Sequence, residues 1–262
     1  MTDPNTKVWV NGISGKMGIL ISSSLKDHSS FTLLGGSDAK NICQNTEIVG
    51  SFDSATLSEK LAVTGLIIDF SSAKGNQLLL DAISEQKNTA SHTILIGTTG
   101  LDKQLRNSWK DFAAKTNSRL LFAPNTSIGI LTLAQTVRAL SSKLTKQNFD
   151  IEIIETHHRD KLDSPSGTAT FLADTIQSAL EQDTQLCSSY TSKRPTNSIG
   201  VHSVRGGGVF GEHEIRFIGD HEELYLGHRA LSRDLFAQGA LRLSEWLIKQ
   251  TPGVYGFLDV KL

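Results

Sequence analysis

The sequence predicts an α/β protein: a doubly wound parallel sheet, followed by an α+β portion whose sheet is mainly antiparallel. Three observations predict it. Strand-length apolar runs alternate with helical spacings through residues 1–128. A glycine-rich turn stands between the first strand pattern and the first helix pattern. Beyond residue 197 the strand patterns follow one another directly, joined by the turns GGGVFG and GDHEE.

Lys7 to Asn11 reads as a buried strand and runs into Gly12-Ile-Ser-Gly15-Lys-Met-Gly18. The helix after it carries Ile19, Leu20 and Leu25. Strand, glycine turn and helix in that order can hold a dinucleotide pyrophosphate. Glycines let the backbone approach the phosphates, and the helix N-terminus faces their charge. The spacing is G-x-x-G-x-x-G, with Ser14 where the usual second glycine would stand, and such loops also make ordinary turns. A second strand, Phe31 to Gly36, leads to Asp38, 20 residues beyond Gly18. That is about the distance at which a carboxylate meets a cofactor ribose.

Residues 41–64 are polar and weakly patterned, a loop with at most a short helix. Three more strands follow, Leu66 to Phe70, Thr93 to Ile96 and Leu120 to Ala123. Between them, Leu78, Leu79 and Ile83 mark one helix, and Leu105, Trp109, Phe112 and Ala113 another. The strands end in Asp69-Phe-Ser-Ser, Gly97-Thr98-Thr99-Gly100 and Pro124-Asn125-Thr-Ser127. In a doubly wound, Rossmann-like sheet the carboxyl ends of the strands carry the ligands, so these polar ends share an edge with the glycine loop.

A long helix from Gly129 to Leu144 carries Ile130, Leu133, Ala134, Val137, Leu140 and Leu144, and leads into a second domain. Its first strand opens IEIIETHHRDKLDSPSGT, residues 151–168. Ile151, Ile153 and Glu155 point one way and Glu152, Ile154 and Thr156 the other. The strand delivers His157 and His158, then Arg159, Asp160, Lys161 and Asp163. Pro165, Ser166, Gly167 and Thr168 open a helix, leaving free backbone N–H groups and the positive end of its dipole. An imidazole, an ammonium and a backbone anion cradle point to acid–base chemistry on a small anion. A solvated charge cluster ahead of a capped helix is the plainer alternative. A metal site at His157, His158, Asp160 and Asp163 is disfavoured, since adjacent residues on extended backbone face opposite ways and Lys161 sits among them.

Residues 183–197 read as loop, and then come strands over Ser198–Arg205, Glu214–Ile218 and Glu223–Arg229. A last helix, Asp234 to Lys249, carries Phe236, Ala237, Ala240, Leu243 and Leu247, and a short segment with Val254, Tyr255 and Phe257 ends the sequence.

Across 262 residues, 26 Lys and Arg meet 27 Asp and Glu, so the net charge of −1 calls for neither nucleic acid nor a membrane surface. Apolar runs such as LIIDF and TILIG are too short to span a bilayer. The polar start MTDPNTKVWVNG shows no leader pattern, and Cys43 and Cys187 form no C-x-x-C pair. The expectation is a cytoplasmic protein without disulfides.

The stretch Glu155-x-His157-His158-x-x-Lys161-x-Asp163-Ser164-Pro165-Ser166-Gly167-Thr168-Ala169 resembles the signature of the dihydrodipicolinate reductase family. The loop at Gly12, Gly15, Met17 and Gly18 is similar to that family's, as are Asp69-Phe70, residues 97–100, and Asn125, Ser127 and Gly129. Val204-Arg205, Gly211-Glu212-His213 and the run from Ser232 to Ala240 match in order, so the resemblance spans essentially the whole chain.

It implies reduction of 4-hydroxy-2,3,4,5-tetrahydrodipicolinate to 2,3,4,5-tetrahydrodipicolinate with loss of water, in lysine and diaminopimelate biosynthesis. It implies His157 and Lys161 as catalytic residues, with His158, Ser166, Gly167 and Thr168 binding the substrate. Gly12, Ser14, Gly15, Lys16, Met17, Gly18, Asp38, Gly97, Thr98, Thr99, Asn125 and Ser127 would bind the cofactor. The domains expected are 1–128, completed by 234–262, for the dinucleotide, and 129–233 for substrate binding and tetramerisation. A homotetramer without nucleic-acid or membrane partners is expected. Two departures are Ala39, where family members preferring NADPH can carry arginine, and Ala73, where proline is frequent. With Asp38 facing the ribose and no arginine beside it, NADH and NADPH should both serve, NADH equally or better.

Overall fold

A computed structural model of the chain describes residues 6–38, 48–50, 60–85, 91–180 and 183–261. It divides into two compact units, one of residues 1–127 with 236–262 and one of residues 128–235.

The first unit is built on a sheet of seven parallel strands: β1 (Thr6–Asn11), β2 (Phe31–Asp38), β3 (Ile48–Gly50), β4 (Leu66–Asp69), β5 (Thr93–Ile96), β6 (Arg119–Phe122) and β12 (Gly253–Gly256). Their order is β12-β6-β5-β4-β1-β2-β3. Central strands read as unbroken apolar runs because both faces are covered. Trp9, Ile67, Ile94 and Leu120 lie in one buried cluster, and the alternate residues Val8, Val10, Ile68, Leu95 and Leu121 are equally buried. Each such side chain contributes about 1.5–3 kcal/mol relative to exposure.

Helices α1 (Lys16–Leu25), α2 (Ala73–Ser84) and α3 (Lys103–Thr116) connect these strands. Helix α2 starts at Ser72, whose hydroxyl accepts from Gly75 N–H, and α3 at Asp102, which accepts from Leu105 N–H. Helix α3 stops at Asn117, in the left-handed conformation. It buries the expected Leu105, Trp109, Phe112 and Ala113.

Two helices are rotated from their sequence reading. On α1 the buried residues are Gly18, Ile21 and Leu25, while Ile19 is 57% exposed. A side chain at Gly18 would collide with the carbonyl of Gly12, so this close approach fixes which face turns inward. On α2 the buried set is Asn76, Leu79, Leu80, Ala82 and Ile83, with Leu78 only half-buried. Within 41–64, read as a loop with at most a short helix, residues 60–62 are helical, while β3, paired with β2, is not expected from that reading.

The second unit holds α4 (Ile128–Thr145), β7 (Asp150–His157), α5 (Gly167–Leu180), β8 (Gln185–Cys187), β9 (Ser198–Arg205), β10 (Glu212–Ile218) and β11 (Glu223–Arg229). Its sheet order is β11-β10-β7-β9-β8. The antiparallel expectation holds for β10 against β7 and β11, whereas β9 joins β7, and β8 joins β9, in parallel. Strand β8 falls in the stretch read as loop; three residues are too few for a pattern of their own.

Helix α4 packs against α5 and β11, and α5 against β7 and β9. Strand β7 alternates strictly, with Ile151, Ile153, Glu155 and His157 buried. The last helix, α6 (Asp234–Ile248), buries the expected Ala237, Ala240, Leu243 and Leu247, while Phe236 is only half-buried. The terminal segment is more than a tail: it forms β12, hydrogen-bonded along β6.

Candidate active site

Strand β7 ends with a carboxylate and an imidazole on its buried face. Glu155 is fully buried, and the alternation that buries Ile151 and Ile153 is what turns it inward. Register does the rest. Glu155 lies opposite His213 of β10, and His157 opposite Arg205 of β9, so four polar side chains share one face.

The Glu155 carboxylate collects donors from three directions. Arg205 gives Nη1 to Oε2 at 2.8 Å and Nη2 to Oε1 at 2.7 Å. The backbone N–H of Ser166 donates to Oε1 at 3.1 Å, and His157 Nδ1 lies 2.5 Å from Oε2. Burial pushes the carboxyl up, but the hydrogen bonds from Arg205, Ser203 and His157 outweigh it and leave the pKa at about 2. Glu155 is therefore ionised, and its partner His157 Nδ1 carries the hydrogen.

His157 is 8% exposed, and among the described residues its Nε2 has no hydrogen-bond partner. Burial lowers its pKa, and the Glu155 carboxylate opposes that shift. A side chain at Gly211 would come 2.9 Å from Nε2. The His213 ring packs edge-on at 5.2 Å between centroids. Burial, followed by the charge of His157, drives the pKa of His213 down to about 3, so this second imidazole is neutral.

The chain then turns into α5. Ser166 caps the helix, its Oγ accepting from Ala169 N–H at 3.1 Å and lying 3.1 Å from His213 Nε2. Gly167 sits at the first helical position with open space where a side chain would be. Lys161 donates to Asp163 Oδ1 at 2.8 Å, and this contact, with the Gly167 backbone nearby, holds the Asp163 carboxyl below its usual range. Lys161 is thus paired with a carboxylate of its own chain, close to the α5 N-terminus. His158 is half-buried, and its carbonyl accepts the Lys161 N–H. Among the described residues no cluster of His, Cys, Asp and Glu is placed to hold a metal ion.

The first unit gathers the other predicted group. Gly12 adopts φ +82°, and a side chain there would meet the Phe70 carbonyl at 2.5 Å. Its N–H donates to Ser37 O, and Gly15 N–H closes the turn onto Gly12 O. Helix α1 begins after Gly15 with no side-chain cap, so the first-turn N–H groups of Lys16, Met17 and Gly18 have no capping side chain to accept them. Asp38 accepts the Ser14 N–H at 3.1 Å and so also shapes the loop; Ala39 and Lys40 lie outside the described residues.

Thr98 is buried and accepts the Ser71 N–H, while Thr99 and Gly100 are exposed on the same strand end. Asn125 accepts the N–H of the buried Ser127. Below these ends lies Asp69, fully buried, accepting from Asn11, Ser71 and Asn76.

Glu155, Arg205, His213 and Asp69 carry these networks without having been assigned roles from sequence. A signal existed for Glu155 and Asp69: each is a carboxylate in phase with buried apolar residues of its strand. Arg205 and His213 stand out only as positions matching the family pattern, because their place beside Glu155 depends on strand pairing.

Two family models cover the chain. "Dihydrodipicolinate reductase, N-terminus" matches residues 6–126, and "Dihydrodipicolinate reductase, C-terminus" matches residues 129–260. The 4-hydroxy-tetrahydrodipicolinate reductase of Pelobacter propionicus is 32% identical, over 97% of this chain and 98% of the relative. That of Aquifex aeolicus is 34% identical, over 98% of each. A dipicolinate-bound dihydrodipicolinate reductase from Paenisporosarcina sp. TG-14 superposes with a TM-score of 0.78 at 23% identity, covering 98% of this chain and 99% of that one.

Proposed function

This chain belongs to the dihydrodipicolinate reductase family, and we infer from that membership that it is a pyridine-nucleotide-dependent oxidoreductase. It reduces 4-hydroxy-2,3,4,5-tetrahydrodipicolinate to 2,3,4,5-tetrahydrodipicolinate, with loss of water, in lysine and diaminopimelate biosynthesis.

The observation that carries the residue roles is the end of β7, where a buried imidazole stands next to a Ser166-capped helix start and a lysine. Adding hydride to a conjugated imine puts electron density on ring carbon and nitrogen, so a proton must be supplied. His157 supplies it from Nε2. Lys161 and the α5 N-terminus at Gly167 and Thr168 take the substrate's carboxylates, with His158 and Ser166 beside them. Two carboxylates near the imidazole raise its proton affinity, against the lowering that burial imposes on the free protein.

The first unit fits a dinucleotide. The loop needs glycine at 12 and 18, and the α1 N-terminus has no side-chain cap to block an anion. Gly12, Ser14, Gly15, Lys16, Met17 and Gly18 would hold the pyrophosphate, Asp38 the adenosine ribose, and Gly97, Thr98, Thr99, Asn125 and Ser127 the nicotinamide end. The bound cofactor supplies the hydride. Both NADH and NADPH serve, NADH equally or better, because Asp38 repels a 2′-phosphate.

The protein works in the cytoplasm as a homotetramer. The exposed apolar side chains Leu224 and Tyr225 of β11 support self-association. No described helix is long and apolar enough to cross a membrane.

The test is turnover of substrate generated in situ, followed by NADH absorbance. His157→Ala and Lys161→Ala should each lower kcat on the order of 10²-fold or more, with NADH affinity unchanged. A protein that binds NADH but turns over no dicarboxylate imine would refute the catalytic reading.

A further inference from the structure

Most catalytic imidazoles are oriented by a group on their far nitrogen, and here that group is identifiable. Glu155 Oε2 lies 2.5 Å from His157 Nδ1, on a carboxylate with no exposure to solvent. Being ionised, Glu155 can only accept, so Nδ1 must donate. The same carboxylate accepts both Arg205 nitrogens and the Ser166 N–H, and Arg205 Nη2 also donates to the Asp163 carbonyl at 2.7 Å. One guanidinium therefore spans β9, the end of β7 and the loop that carries Lys161.

We propose that Glu155 and Arg205 are positioning residues for the reductase reaction: Glu155 fixes His157 with its hydrogen on Nδ1 and Nε2 free to exchange a proton, and Arg205 holds that carboxylate in place. This rests on the reading of His157 as proton donor. When protonated His157 gives up the proton on Nε2, the neutral ring that remains is the tautomer Glu155 stabilises. Arg205 has an opposing effect on strength. By occupying the carboxylate's other lone pairs and adding a positive charge, it limits how far Glu155 raises the proton affinity of His157.

The charged and titratable groups facing His157 are Glu155 on its own strand, Lys161 and Asp163 from the following loop, Arg205 from β9 and His213 from β10, with His228 of β11 behind His213. Glu155 is the one that raises its proton affinity by direct contact, while Arg205 and Lys161 lower it.

Glu155→Gln separates position from charge. A glutamine has one acceptor oxygen where the carboxylate had two. Arg205 and the Ser166 N–H can only donate, so they retain that oxygen and the amide NH₂ turns to Nδ1. The imidazole must then change tautomer, putting hydrogen on Nε2. We expect nitrogen-15 spectra of histidine-labelled protein, assigned with His157→Gln, to show Nδ1–H in neutral wild type and Nε2–H in Glu155→Gln. Turnover should fall on the order of 10²-fold or more. The alkaline limb of kcat/KM should move to lower pH in Glu155→Gln and to higher pH in Arg205→Gln. A purely structural role would not move the two limbs in opposite directions.

Glu155→Asp keeps the carboxylate and should keep Nδ1–H, with more turnover than Glu155→Gln; it covers the case in which the glutamine variant does not fold. An unchanged tautomer in Glu155→Gln, loss of Nδ1–H in Glu155→Asp, or limbs moving the same way would overturn the proposal. The proton-donor reading fails separately, if His157→Gln turns over at the wild-type rate.

Discussion

Lys161 Nζ lies 2.8 Å from Asp163 Oδ1, and the Gly167 backbone is near enough to the same carboxylate to help lower its pKa. The ammonium proposed to hold a substrate carboxylate thus already holds one from within the chain, close to the helix start. The Asp163 side chain is 57% exposed, so the pair is weak, about 0–1 kcal/mol. Asp163→Asn should lower the substrate KM and the Kd of pyridine-2,6-dicarboxylate about two- to five-fold at low ionic strength, by removing a competitor. A rise in both constants would mean that Asp163 instead holds Lys161 in its working place.

Asp69 makes a sharper demand on stability. It is a fully buried carboxylate whose acceptances from Asn11, Ser71 and Asn76 all come from neutral groups, and Asn76 in turn accepts from Trp109 Nε1. Asp69→Ala strands three buried or half-buried donors at roughly 1–3 kcal/mol each. A loss of about 3 kcal/mol or more in urea unfolding is expected, with weaker NADH binding, since Asn11 leads into the glycine loop. Asp69→Asn puts one amide NH₂ against those donors and should be intermediate. Near wild-type stability in Asp69→Ala would show that water replaces the carboxylate.

His213 gives the stability a pH slope. Burial, then the His157 charge, depresses its folded pKa from 6.5 to about 3. The unfolded chain therefore takes up a proton that the folded chain refuses. Stability from this group is complete above pH 6.5 and is lost as pH falls from there toward 3, by up to a few kcal/mol. Between pH 7.5 and 5 the urea midpoint of wild type should drop more steeply than that of His213→Asn. Parallel slopes would mean that His213 titrates normally.

The proposed cofactor choice is tested at the end of β2. Asp38 accepts the Ser14 N–H, which orients its carboxylate within the loop. Ala39→Arg should shift the NADPH-to-NADH ratio of kcat/KM about ten-fold or more toward NADPH, through a clamp on the 2′-phosphate. A strong NADPH preference already in wild type, or no shift in the variant, would show that Asp38 only shapes the turn.

Sequence made the elements legible where period and punctuation agree, as on α3 with its Asp102 start and Asn117 stop. The family resemblance named His157, Lys161 and the helix start, all within one local stretch. Glu155 sat in the same stretch with its partners His157 and Ser166, yet the rest of its network did not. Arg205 and His213 are 50 and 58 residues beyond it and meet it only through the pairing of β9 and β10 with β7. Register between distant strands is not written in local spacing. The same limit hid β12, whose four residues become a strand only because β6 offers an edge.

That last pairing bears on how the chain is made. Residues 128–235 form a contiguous unit, whereas the unit around them waits for residues 236–262. A ribosome releases the first six strands of the large sheet early, but with β6 as a bare edge and α6 missing. The contiguous unit emerges whole before residues 236–262, whereas the discontinuous one cannot finish until those residues follow. The unit begun first on the ribosome is thereby the one expected to finish second. Premature termination before α6 would release a competent second unit attached to a sheet with an open, aggregation-prone edge.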